Sequence, residues 1–409
     1  MPAAATRGIR CLVTLGLIIH SACSAVHAEE PVHDPWLEWD YATGDWDGNR
    51  RHWSKHGVDI LATYTAQVWG NPVGGLDPGT AYVGLLQFGV NADLEKALGW
   101  NGGSFRTTWL WMSGGEPSVS NVGSIFAVSP IEAPPSFRAL DIWLQQEFRD
   151  GALALRAGLF NADAEFTVSS NAALFQYSGF GWPTFYGGTL GGAPVYPFAA
   201  PGIFMAVAPG GGWKWISSVM QGDAGSQADN PSNFYWRFNR ATGCLILNEI
   251  QHSRTGGRLP GTAKMGAIFN TAETSDIAGN ASSWSGGFVY GILDQMIWRE
   301  DAAGAPQGAS WFARGGYSVL EDSQLYSLFN TGFTCTGLIP GRDDDTAGVA
   351  LSWAQFSPGI WKVETGGSRW RWNGPTRHSS HRGSPCSPTC NSSSSPGAAP
   401  HSAMLWSSA

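Results

Sequence analysis

From Leu140 to Leu159 the chain alternates. Leu140, Ile142, Leu144 and Phe148 share one phase, broken only by Gln146, and Asp141, Trp143, Gln145, Glu147 and Arg149 share the other. After an Arg149-Asp150-Gly151 turn, Leu153, Leu155, Ala157 and Leu159 alternate with Ala154, Arg156 and Gly158. Side chains on a strand point to opposite faces in turn, so two such runs across a Gly-containing turn predict a β-hairpin. One face is apolar. The other carries Asp141, Gln145, Glu147 and Arg156 around Trp143. Two architectures use such a hairpin: a water-soluble sandwich, and a membrane barrel with lipid outside and water inside.

The same period recurs along the chain. Val58, Ile60, Ala62, Tyr64, Ala66 and Val68 alternate with Asp59, Thr63, Thr65 and Gln67, a run long enough for a tilted membrane span. Further strands are predicted at 82–93, 104–112, 203–208, 214–221, 244–252, 263–270, 287–297, 310–319 and 346–356. Residues 93–103 read as a connection with one helical turn. Residues 71–80, 113–137 and 187–200 read as Gly/Pro-rich loops, and 161–185 as a polar, aromatic segment with little alternation. Long loops between regular strands are usually functional or disordered. The pattern is all-β, with no sequence repeat and no interdomain linker.

Composition agrees with many short strands and turns. Only 14% of the 409 residues are charged, 12% are aromatic, and there are 54 Gly and 21 Trp. A net charge of -8 argues against nucleic-acid binding. The six cysteines form no CxxC unit, so no zinc site is suggested, and no cofactor is implied. Cys244 and Cys335 can bridge only if their Cα atoms lie within about 7 Å. At the N-terminus Arg7 and Arg10 precede an apolar stretch over 11–19, and Ala25-Val26-His27-Ala28 suits cleavage after Ala28. Residues 1–28 therefore read as a secretory signal peptide. No later run is long and apolar enough for a spanning helix, so any membrane span must be β.

Several motifs then carry a resemblance. WDYATGDWDG at Trp39–Gly48, DLEKALGW at Asp93–Trp100, IWLQQEFRDGALALRAGLFNADAEF at Ile142–Phe166, YPFAAPG at Tyr196–Gly202 and GLIPGRDDD at Gly337–Asp345 resemble the carbohydrate-selective porins of the OprB family. The likeness runs from about Trp36 to Pro358. It implies one outer-membrane barrel of about sixteen antiparallel strands over 29–362, with long external loops and short periplasmic turns. It implies outer-membrane lipid and the barrel assembly machinery as partners, and small sugars as solutes. A homotrimer and a monomer both fit. Some members of the family stack an Arg on glucose from the strand after the GW motif. Here that stretch is FRTTWLWMSGG, and its one basic residue, Arg106, is offset but in a phase that can face a lumen.

Enzymatic chemistry has little support. Asp163 and Glu165 lie two apart in one loop, whereas glycosidase carboxylates must flank a bond. No GxSxG or HExxH motif is present. The run Asp343, Asp344 and Asp345 lacks EF-hand spacing, so no metal site is implied, and Arg342 is expected to pin that loop by pairing with it. The candidate substrate pathway is Arg106, Asp141, Trp143, Gln145, Glu147 and Arg156, where amide and charged groups meet sugar hydroxyls and Trp143 offers a stacking face. A polar wall that merely holds water is the alternative role. Trp109, Trp111, Tyr64 and Phe88 are expected in aromatic girdles, or in the core of a sandwich. Besides a sugar porin, a secreted glycan-binding sandwich and a general ion-conducting porin remain open at this point.

The tail departs from the family. Residues 363–409 are rich in Ser, Pro and Arg, and 366–409 are expected to be irregular. Reading the last base of each codon with the first two of the next, Ser380 through Ser392 permit TPWLTVQPDVQF and Ala403 through Ala409 permit NAVVVG. Both strings resemble the closing strands of the family. A frameshift is therefore expected to replace the last strands and the terminal aromatic that the assembly machinery reads. Sequencing the gene tests this. The shifted frame should spell the family ending, and restoring it should improve insertion as judged by heat-modifiable migration. Codons incompatible with that ending refute the frameshift.

Overall fold

The computed structural model describes residues 41–124, 126–181, 192–257, 259–275, 281–282, 286–300, 307–319, 325–339, 341–356 and 403–408. The signal-peptide reading and most of the tail lie outside them. The chain divides into two compact units at His52 and Trp53. In the first, the Arg50 guanidinium lies over the Tyr41 and Trp46 rings at 3.9 and 4.5 Å, and Arg51 pairs with Asp45. A short helix, α1, spans Asn49–Lys55.

The second unit is one antiparallel sheet whose strands follow chain order. They are β1 (Val58–Asn71), β2 (Gly79–Asp93), β3 (Gly103–Gly114), β4 (Ser136–Phe148), β5 (Leu153–Phe160), β6 (Ala200–Gly210), β7 (Trp213–Gln221), β8 (Cys244–Arg254) and β9 (Gly261–Asn270). A two-residue pair follows, β10 (Thr274–Ser275) with β11 (Ala281–Ser282), outside the main sheet. The main sheet resumes with β12 (Gly286–Arg299), β13 (Gly308–Ser318), β14 (Leu325–Thr336) and β15 (Thr346–Phe356). Helix α2 (Leu94–Leu98) supplies the predicted helical turn. Asp93 caps it by accepting from the backbone N–H of Glu95 and Lys96, both at 3.1 Å, and Gly99 ends it in the left-handed conformation at φ 73°.

Connections differ by end. The turns 149–152, 211–212 and 255–260 are short and lie at one end. At the other lie 115–135, 161–199 and 222–243, which are long. The long connections cover one face of the sheet, called inner here. On this face Leu110, Ile216, Leu245, Leu247, Ile268 and Phe312 are fully buried. The opposite face is bare and apolar. Ile203, Val219, Ile250, Met265, Tyr317, Phe329, Phe333 and Val349 all stand exposed, Met265 at 74%. A soluble sandwich would cover such a face with a second sheet. Among the described residues no second sheet does. Tyr64 and Trp111 join the bare face, while Trp109 is half-buried, stacked on Phe137 at 5.5 Å, and Phe88 lies 6.1 Å from the same ring.

Two expectations need correction, and one strand was missed. Leu140 was placed with Ile142 and Leu144, but β4 bulges opposite β3: Thr108 pairs with Asp141 and Trp109 with Ala139, so Leu140 has no partner. The extra residue shifts the phase. Leu140 then packs on the inner face with Leu85, Leu110, Met112 and Ala133, while Ala139 packs with Leu159 and Ala199. β14 was not foreseen. Its inner phase is Asn330, Gly332 and Thr334, which hides the alternation. The tail, expected to be irregular, contributes β16 (Ala403–Ser408), paired antiparallel to β15 from Val349↔Ser408 to Ala354↔Ala403. The open edge of β15 offers unpaired backbone groups that this short segment satisfies. Cys244 and Cys335 are both free thiols.

If the bare face meets lipid, Met265→Arg should cost about 2–4 kcal/mol in bilayer refolding titrations. A cost near zero would show that the face is bathed in water.

Candidate functional site

The central hairpin delivers most of its polar face to one place. Arg106 on β3 stands opposite Trp143 on β4, and its Nε lies 3.4 Å from Asp141 Oδ2 and donates to Thr108 Oγ1 at 3.1 Å. Arg156 on β5 donates to Gln145 Oε1 at 3.0 Å and pairs with Glu165 Oε1 at 2.8 Å. Its guanidinium lies 4.3 Å from the Trp143 ring centroid and 4.9 Å from that of Phe204. One face of Trp143 is therefore already occupied by a cation. Glu147 sits apart, exposed near the short turn, and accepts from Gln145 Nε2 at 3.1 Å. Arginine–carboxylate pairing thus runs along this wall, as Arg106 with Asp141 and Arg156 with Glu165.

Farther along the sheet, on β8, β12 and β13, lies a second cluster that the sequence pattern did not single out. Glu249 on β8 is fully buried and accepts from Tyr290 Oη at 2.6 Å and from the Thr167 backbone N–H at 3.0 Å. Asp294 on β12 accepts from Ser169 Oγ at 2.6 Å, from Asn171 Nδ2 at 3.1 Å and from the Ser170 N–H at 3.3 Å. Arg314 on β13 donates to the carbonyls of Gly181, Gly179 and Thr167 at 2.5, 2.8 and 3.3 Å and to Asn330 Oδ1 at 3.0 Å. All of these hold residues 165–181 against the inner face. Burial of Ala172, Phe175 and Phe180 with Phe312 and Ala350 completes the attachment. A signal was available: Glu249 shares the phase of Leu245 and Leu247, Asp294 that of Tyr290 and Ile292, and Arg314 that of Phe312. A charge in an otherwise apolar phase needs a polar partner.

The inserted segment touches both early and late strands. Gln67 on β1 donates to Gln176 Oε1 at 2.8 Å, while a Cβ placed on Gly348 of β15 would meet the Phe175 ring at 2.9 Å. At its start, Asp163 accepts from the Tyr196 N–H at 3.2 Å and from Asn161 Nδ2 at 2.5 Å. Both carboxylates of this loop are engaged, Asp163 by these hydrogen bonds and Glu165 by Arg156. On the short-turn side, Arg342 pairs with Asp345. Asp343 and Asp344 are exposed and, among the described residues, join no ion pair.

The model of the OprB family of carbohydrate-selective porins matches residues 77–379. The chain belongs to this family. It is 28% identical over 291 residues to Porin B of Pseudomonas aeruginosa, covering 67% of this chain and 61% of that one. It is 23% identical over 338 residues to the putative porin QuiX of Acinetobacter baylyi, covering 76% and 73%. The high-pH structure of Pseudomonas putida OprB aligns at a TM-score of 0.72 and 20% identity, over 83% of this chain and 86% of that one. Its low-pH structure aligns at 0.51, with 18% identity over 78% and 83%.

Burial pushes the Asp163 carboxyl up to about 6. An unfolded Asp titrates near ~3.9. The folded state therefore keeps a proton that the unfolded state has lost, and this group's contribution to stability falls as pH rises from about 4 to about 6, then levels off. Asp163→Asn should flatten that fall. Denaturant midpoints of parent and variant should differ less at pH 4 than at pH 7.5. An unchanged pH profile refutes the assignment.

Proposed function

We propose that this OprB-family chain forms an outer-membrane barrel of about sixteen strands that passes small carbohydrates by facilitated diffusion. One observation carries the reading: a sheet with a bare apolar face has, on its other face, paired charges and a chain segment that fills part of the space. Closure into a barrel is supported by that segment, since residues 167–181 reach both β1 and β15. A barrel also satisfies the edge groups that lipid cannot. The short turns then face the periplasm and the long connections the exterior. Transport needs no chemistry. Hydroxyls of the sugar exchange water for Asp141, Gln145 and Arg156, weakly enough that the solute leaves again.

Single-channel conductance with and without sugars tests the function. Sugar should reduce ion current reversibly, whereas a general ion porin would show no such block and a soluble glycan binder no channel. Trp143→Ala should weaken sugar block more than it alters open conductance. Arg156→Ala should shift ion preference toward cations, because Glu165 is left unpaired on the wall. If both variants change conductance alone, the hairpin face is plain lining.

A further inference from the structure

The connection between β7 and β8 builds a polar cavity at the long-loop end, whose lining includes none of the hairpin-wall candidates. It is pinned to β4. The Ala139 N–H donates to Ser232 O at 3.2 Å, and fully buried Asn233 donates through Nδ2 to Ala139 O and Pro197 O at 2.8 and 2.9 Å. From there the residues alternate. Phe234, Trp236 and Phe238 stand exposed, and Phe234 lies 6.0 Å from Trp109. Tyr235, Arg237 and Asn239 instead line a cavity of about 710 Å³. Its other walls include Tyr196, Asp223, Asp229 and Glu273. The two sides are joined where the Ala224 N–H donates to Gly192 O at 2.7 Å.

The groups in this cavity have hydrogen-bonding capacity to spare. Asp223 uses Oδ1 for the Gly225 N–H at 2.8 Å, and Asp229 uses Oδ2 for Ser226 Oγ at 2.7 Å. Among the described residues their second oxygens accept nothing. The Arg237 guanidinium lies 3.7 Å from the Tyr235 ring centroid and, among the described residues, makes no side-chain hydrogen bond or ion pair. Glu273 has one long pairing, to Arg240 at 3.5 Å. Carboxylates that accept, a guanidinium that donates and aromatic walls together suit a polyhydroxylated neutral ring. An anionic ligand would meet three carboxylates. Among the described residues no group of side chains is placed to hold a metal ion. The volume lies within the range of small-molecule sites.

We infer that this cavity is a capture site for a neutral sugar of one or two rings at the mouth of the channel, separate from the lumen wall. The inference rests on the sugar-porin reading. The test uses the full folded chain, with equilibrium binding of glucose and maltose in detergent and current block with sugar added to each side of a planar bilayer. Arg237→Gln and Glu273→Gln, both at exposed positions, should each weaken binding about tenfold, the loss of roughly one hydrogen bond to a charged group. Arg237→Lys should recover part of it. Gluconate, which carries its own carboxylate, should bind more weakly than glucose. Block should weaken more for sugar added at the long-loop side than at the short-turn side. If Arg237→Gln and Glu273→Gln bind sugar as the parent does while Trp143→Ala does not, the mouth site is refuted and the porin reading stands. If no sugar affects the parent, both fail.

Discussion

The hydrogen bonds by which Glu249 and Asp294 accept from, and Arg314 donates to, the backbone of residues 167–181 are the constraint on which the inner face depends. Three ionisable side chains are buried there, and a buried charge without partners is costly. Many of their partners are N–H and C=O groups of a segment with little regular structure. That segment has its own need, since an irregular chain placed inside a protein must satisfy its backbone somehow. Each side meets the other's requirement. Neither apolar strands nor a free loop would be stable in that place alone, so wall and insert must be specified together.

The opposite face has the reverse logic. Its side chains are large, apolar and uncovered, and a single exposed patch of that extent is rare on soluble proteins. The alternation that gives β7 Ile216, Ser218 and Met220 inside also puts Trp213, Trp215 and Val219 outside. One period of two therefore fixes both solvents at once. A one-residue slip would exchange them along the whole strand, which is why register is strongly specified here. The β4 bulge shows the same rule locally, because the extra residue moves Leu140 inward without disturbing Ile142 or Leu144.

Local periodicity made much of this fold legible. The hairpin 140–159, strand β1 and the capped turn after Asp93 rest on interactions between near neighbours. What was missed is non-local or inverted in polarity. Ser169 and Asp294 meet across 125 positions of sequence, and nothing at either site names the other. β14 hid because Asn330 and Thr334 occupy its inner phase, where they bond Arg314, Ser352 and Asn171 rather than fill an apolar core. The hairpin candidates were legible as a set. Their pairing was not, since Glu165 reaches Arg156 only after the segment folds inward.

That pairing bears on what the proposed lumen prefers. An isolated arginine or aspartate on the wall would attract or repel ions over roughly a Debye length, about 8 Å at physiological salt. Arg106 beside Asp141 and Arg156 beside Glu165 instead form close pairs, whose fields fall away faster than those of single charges. A passing ion gains little from them. A sugar hydroxyl both donates and accepts, so it can bridge the two members of a pair and lose little on leaving water. Trp143, with Arg156 over its ring, keeps that guanidinium in a fixed orientation. On the proposed function, such a wall is polar enough to replace hydration and close enough to neutral that a small uncharged solute is neither trapped nor excluded.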